Sequence, residues 1–176
     1  MAIVINGSGE ISGISVGGLP DGIVDAGTLA VNSRGTVLQV VQGTNGTGNT
    51  ASTSSTYADV GLSATITPIS TSNKILVSVE LCSCVKETGN TYFGVLLLRN
   101  TTSISCLTTV GGNTVSTTTN NIGSISTTYL DSPSTTSATT YKVQFASLLN
   151  VSKVMINNWD GVNQPTSTIT LMEVAG

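Results

Sequence analysis

The sequence predicts an all-β protein: a jelly-roll-like β-sandwich with an extended N-terminal arm, assembled as a homo-oligomer. Three observations lead there. β-Branched residues recur in short dense runs, Gly/Asn/Asp/Pro turn signals separate those runs, and charge and aromatic mass are both scarce. Only 9% of residues are charged, against about 25% in an average domain. Ser, Thr, Asn and Gly fill the gap. A net charge of -3 combined with dense Val/Ile/Thr runs is unlike the low-hydropathy, high-charge signature of disorder. Thr, Val and Ile suit a pleated, half-buried surface, and Gly and Asn supply the positive φ of tight turns.

Residues 1–35 stand apart, with eight glycines among small alternating apolar and polar residues. Such a segment cannot build a core, so it is expected to be an arm that gains order on another subunit or on a partner surface. Ile3, Ile5, Ile11, Ile14, Val16, Leu19, Pro20 and Ile23 are its candidate contacts. Residues 36–176 are assigned to the sandwich.

Strand signals begin with TVLQVVQ and continue, after a loop over residues 43–55, with TYADVGLSATITP, read as two short strands bent at Gly61. In KILVSVELCSCV the odd positions Ile75, Val77, Val79, Leu81 and Val85 are apolar, which marks a strand with one buried face. TYFGVLLLRN is apolar on both parities, as in a strand covered on both sides. SISCLTTV is weaker, residues 114–119 and 124–130 are Thr-rich candidate edges, and Pro133 marks a loop. TYKVQFASLL places Tyr141, Val143, Phe145 and Leu149 on one side. KVMINNW, a turn at Asp160 and Gly161, and TSTITLMEVAG close the chain. With two Phe, one Trp and four Tyr, each copy lacks the aromatic payload that usually dominates burial. Pooling apolar surface among identical copies offsets that deficit.

The same residues narrow the function. With six scattered basic residues, there is no electrostatic footprint for nucleic acid or anionic lipid. No run nears the roughly 18 apolar residues of a membrane span, and no secretory leader is recognisable at residues 1–5. A cytoplasmic, soluble product is expected. There is no histidine, so a Ser-His-Asp triad is impossible and the commonest metal ligand is missing. The nine acids lie singly; Asp59, Asp131 and Asp160 read as turn residues, and Glu80 and Glu173 as solvated strand positions. No cofactor, metal or catalytic residue is assigned.

Cys82-x-Cys84 would share one strand face with Cα atoms about 6.5–7 Å apart, at or beyond disulfide reach. The three cysteines, an odd number in a chain with no recognisable export signal, are expected to be reduced, with a Cys106 bridge conceivable should 103–110 pair alongside. The glycines of GSGEISG and VGGLPDG lack a following GK[ST] and so are not a phosphate loop. Asn45 and Asn150 lie in formal glycosylation sequons. Tyr92, Phe93 and Trp159 are candidate receptor-contact rings near loop edges, with core filling as the competing role.

The stretch ISGISVGGLPDGIVDAGTLA resembles a short module of fibre and decoration proteins of tailed bacteriophages, cyanophages among them. TVLQVV, YADVGLSATITP, YLDSPSTTSATTYKVQF and STITLMEVAG are similar to the trimeric β-rich fibre-end domains of that group. The resemblance implies a virion protein, assembled in the host cytoplasm, that works without catalysis. It is expected to be a homotrimeric capsid decoration (cement) protein whose arm binds the major capsid protein or another virion protein. The alternative it implies is a fibre tip that contacts a host-surface glycan or protein.

Overall fold

The computed structural model describes residues 35–87, 91–112, 120–149 and 152–176, together with two short strands in the N-terminal segment. Those two, β1 (Val4–Ile5) and β2 (Ile11–Ser12), pair antiparallel, Val4 opposite Ser12 and Ile5 opposite Ile11. Of the candidate arm contacts, Ile3, Ile14, Val16, Leu19, Pro20 and Ile23 lie outside the described residues, as do the side chains of Ile5 and Ile11. Residues 114–119, a candidate edge, also lie outside them.

Every regular element among the described residues is a strand, and the sheets curl into a half-barrel. The smaller sheet contains β5 (Ala58–Ile66), β7 (Tyr92–Arg99), β8 (Thr102–Gly111) and β10 (Thr139–Leu148), in the order β5-β10-β7-β8. The larger is centred on β6 (Lys74–Lys86). On one side of β6 lie β12 (Ser167–Val174) and then β3 (Val37–Asn45), and farther along the same side β11 (Val154–Ile156) and β4 (Thr50–Ser52). On the other side lies β9 (Asn120–Asp131). All pairings are antiparallel.

Period-2 alternation explains which face is buried. Val60, Leu62, Ala64 and Ile66 of β5, Ile75 to Leu81 at odd positions of β6, Tyr141, Val143 and Phe145 of β10, and Ile169 and Leu171 of β12 meet in one core between the sheets. Each fully buried Val, Leu or Ile contributes about 1.5–3 kcal/mol of transfer free energy. Phe93 and Phe145 meet edge to face with centroids 6.0 Å apart, the geometry that ring quadrupoles favour. The expectation that β7 is covered on both faces holds at Gly94, where Tyr57 and Leu148 of the same chain lie over the outer side.

The two sheets pass close together at Gly43, where a Cβ would lie 2.0 Å from the Ser63 carbonyl oxygen. Only a residue without a side chain fits there. Gly61 does not divide two strands as expected; β5 is continuous, and Gly61, at φ +74, forms a bulge between Asp59↔Gln144 and Ser63↔Lys142. The positive φ absorbs the extra residues without ending the pairing. Part of the loop expected over 43–55 is strand as well, the end of β3 and all of β4. β8 pairs with β7 and not with β6, which removes the arrangement required for a Cys106 bridge. Leu149 is not a core residue: just past β10 its backbone turns to φ +73, leaving it 66% exposed.

Three carboxylates depart from their sequence reading, Asp59 among them, which lies within β5 opposite Gln144 and not in a turn. Asp131 is buried and not a turn residue: it accepts from Arg99 Nη1 at 2.9 and 3.0 Å and from the Tyr141 hydroxyl at 2.6 Å. This ties β9 of the larger sheet to β7 and β10 of the smaller. Glu173, expected in solvent, is fully buried on the inner side of β12. It accepts from Asn73 Nδ2 (2.6 Å), the Ile69 amide (2.8 Å) and Gln39 Nε2 (2.5 Å). Among the described residues no buried side-chain nitrogen or oxygen lacks a hydrogen-bond partner, as burial of polar groups requires.

Candidate functional site

A concavity is built on an interruption of β6. Its pairing with β9 steps from Leu81↔Ile125 to Cys84↔Gly123 and then to Val85↔Asn121, leaving Cys82 and Ser83 as a bulge. Ser83 takes φ +47 and Gly123 φ +89. The bulge turns two carbonyls towards the segment after β11, where Asn157 N donates to Cys82 O (2.9 Å) and Asn158 N to Ser83 O (3.1 Å). Over it lies a cavity of about 540 Å³ lined by Cys84 and Val85, by the polar side chains of Ser83, Asn121, Asn158, Asp160, Asn163 and Gln164, and by Pro165. Bulges often sit beside functional sites because they re-aim side chains.

A buried amide network fixes the loop base. Asn157, fully buried at φ +52, donates from Nδ2 to Asn45 O at 2.8 Å and accepts from Ser167 Oγ at 2.6 Å. Asn45 Nδ2 in turn reaches Val60 O at 2.6 Å, across to the other sheet. Asn157→Ala is expected to cost about 2 kcal/mol, because Asn45 O loses a buried donor while the Ser167 hydroxyl can rotate to a new acceptor. Urea denaturation monitored by circular dichroism would measure this, and an unchanged midpoint would remove the network from the loop's support.

Asp160 sits at the tip. Its Oδ1 accepts from the amides of Val162 (2.9 Å) and Asn163 (3.3 Å), and these backbone bonds hold its carboxyl below the usual range. It is therefore an acceptor at neutral pH and no proton donor. Burial pushes the Cys84 thiol up to about 12, so it is protonated and a poor nucleophile. The bulge also separates the two cysteines that simple alternation would put on one face: Cys84 is buried and Cys82 half-buried. All three cysteines are free, Cys106 being exposed on β8. Among the described residues no cluster of three or more His, Cys, Asp or Glu could hold a metal ion. The cavity thus offers amide donors and acceptors, one hydroxyl and one carboxylate, a set that matches a neutral ligand rich in hydroxyl groups.

The three candidate rings fall in different places. Phe93 is fully buried against Phe145 and has no surface to present to a receptor; strand alternation put it on the inner face of β7. Tyr92, its neighbour, faces the other way and is half-buried. Trp159 is 41% exposed, with its ring against Gly48 and its amide donating to Asn49 Oδ1 at 3.0 Å. It flanks the cavity in sequence but rests on the β3–β4 connection. Of the sequons, Asn45 is buried with its side chain engaged, which leaves it unavailable to a glycosyl carrier, and Asn150 lies outside the described residues. The cavity itself escaped the sequence reading. Its one signal was the run Cys82-Ser83-Cys84, where three small side chains interrupt the large/polar alternation of β6.

Compared with models of known families the chain matches none, and no curated protein matches its sequence.

Proposed function

We propose that the chain is a non-catalytic virion structural protein: a homotrimeric capsid decoration or cement protein that binds and stabilises a phage head. The observation that carries this reading is the order of its eight long strands. Numbered along the chain, with β3 as first and β12 as eighth, the larger sheet runs first-eighth-third-sixth and the smaller second-seventh-fourth-fifth. That order matches a jelly roll, the architecture of many viral capsid and lectin domains. The motifs of the phage resemblance lie largely on these strands. In this reading residues 1–35 are the attachment arm, and many copies, each binding the closed lattice better than the loosened one, raise the free energy of rupture.

Quantitative mass spectrometry of purified particles tests the reading. The expected copy number scales with the capsid lattice. Absence from particles overturns the proposal. A chain lacking residues 1–30 is expected to remain trimeric and to lose particle attachment; normal attachment would eliminate the arm's role.

The polar cavity favours a second reading, a fibre tip that binds a host-surface glycan or protein. A copy number of only a few per particle points to it. In that case wild-type protein labels host cells and Asp160→Ala does not, whereas equal labelling by both would dismiss the cavity as the receptor site.

A further inference from the structure

We infer that the outer face of β3-β12-β6-β9 is the surface on which copies of this chain pack against one another. The inference rests on the homotrimer reading above and names its interface. Strand register places Val40 opposite Met172, Met172 opposite Leu76, and Leu76 opposite Leu130. All four side chains point away from the core, because their strand neighbours Val41, Leu171, Ile75, Val77 and Tyr129 point into it. The result is an unbroken apolar row across four strands, about 14 Å from end to end at the ordinary strand spacing. Its two ends are its most open parts, Val40 at 58% and Leu130 at 50% exposed.

On one side of the apolar row Val174 lies opposite Val37 and Lys74, whereas towards the Asn45 end of β3 the next two rows contain no aliphatic side chain. Gln42, Thr170, Ser78 and Thr128 form one; Thr44, Thr168, Glu80 and Ser126 form the other. Lys74 and Glu80 are the ionised side chains on this face among the described residues, and they lie at the two ends of the part of β6 that pairs with β12, with opposite sign. A second copy is the occupant this pattern fits. Identical faces without a like-charge cluster meet without repulsion, and any cross-contact between their ionised ends is attractive. The outer face of the smaller sheet differs, since it carries the Asp59–Lys142 ion pair at 2.9 Å.

Four strands and about seven residues of each present a face of roughly 19 by 23 Å before side-chain relief is added. That is the same order as the ~800 Å² each partner contributes to a stable interface. Because both ends of the row are apolar, the Val40 end of one copy can pack on the Leu130 end of the next. Such a head-to-tail contact closes into a ring of three when the rotation allows.

Light scattering on eluting protein at micromolar concentration tests the assignment, with wild type, Val40→Lys, Leu130→Lys and Thr128→Lys on this face and Thr65→Lys on the other sheet as control. Val40, Leu130 and Thr128 are exposed enough that the fold survives, which circular dichroism and the thermal midpoint check; Thr128→Lys removes no apolar atom beyond one methyl. The expected result is a threefold loss of mass, to that of the 17.9 kDa chain, for the three face variants, with wild type and Thr65→Lys unchanged. A monomeric wild type overturns the homotrimer reading itself. Trimeric wild type with trimeric face variants overturns only the interface, as does dispersal seen solely on removing residues 1–34.

Discussion

Arg99→Ala is expected to lower folding stability by about 3 kcal/mol, the low end of the cost of stripping a buried charge of its partner. The asymmetry of the pair sets the size. Asp131 has 7% of its side chain exposed and Arg99 30%, so the carboxylate cannot regain water when the guanidinium is gone. The reverse change, Asp131→Ala, is expected to cost less, about 2 kcal/mol, because Arg99 can swing outward and only the buried Tyr141 hydroxyl is orphaned. That hydroxyl's pKa is pushed up by burial and by its bond to Asp131, so it stays a donor throughout the accessible pH range. Guanidinium unfolding of both variants and of the double variant would yield the coupling energy. Equal losses from the two single changes would contradict the role assigned to solvent access.

Glu173→Ala is expected to cost a comparable 3 kcal/mol, since Asn73 Nδ2, Gln39 Nε2 and the Ile69 amide all lose a buried acceptor. Glu173→Gln should cost less, because Gln39 can turn its amide over and accept from the new one. Burial pulls the Glu173 pKa up, but the hydrogen bonds from Asn73, Gln39 and the backbone of Ile69 and Ser70 outweigh it, and the net shift is downward. The sign follows from linkage: a carboxyl with a depressed folded pKa contributes stability above the unfolded value, about 4.3 for Glu, and loses it as pH falls through the folded value. Stability should therefore be insensitive to this group from pH 7 to about 5 and fall below that. Both substitutions should flatten the acid limb. An acid slope identical to wild type in Glu173→Gln would show that other carboxylates govern it.

These carboxylates also mark where sequence reading stops. The buried faces of β6, β10 and β12 were legible because alternation is local: Ile75 to Leu81, Tyr141 to Phe145 and Ile169 with Leu171 announce their side of the sheet without knowledge of any partner. Glu173 obeys the same parity as Ile169 and Leu171, yet its charge argued for solvent. What reverses that is Asn73, 100 residues away in the chain, and no local pattern contains it. Gly61 was read as a bend and is a bulge, because one glycine signal serves both outcomes. The exposure of Trp159 accords with its place beside the turn at Asp160 and Gly161. The burial of Phe93 was not, because TYFGVLLL is apolar on both parities and hides which side faces the core. The cavity depends on the β6 bulge meeting Asn157 and Asn158, again a long-range event.

β12 lies between β3 and β6, pairing with both, although it follows every other strand of the sandwich in chain order. Until it emerges, the first strand of the sandwich and the central strand of its larger sheet have nothing to join them, and each exposes a bare row of amides and carbonyls. Nascent chains should thus stay unclosed, and sticky, until β12 has been made. Deleting residues 167–176 would remove the keystone of the sheet.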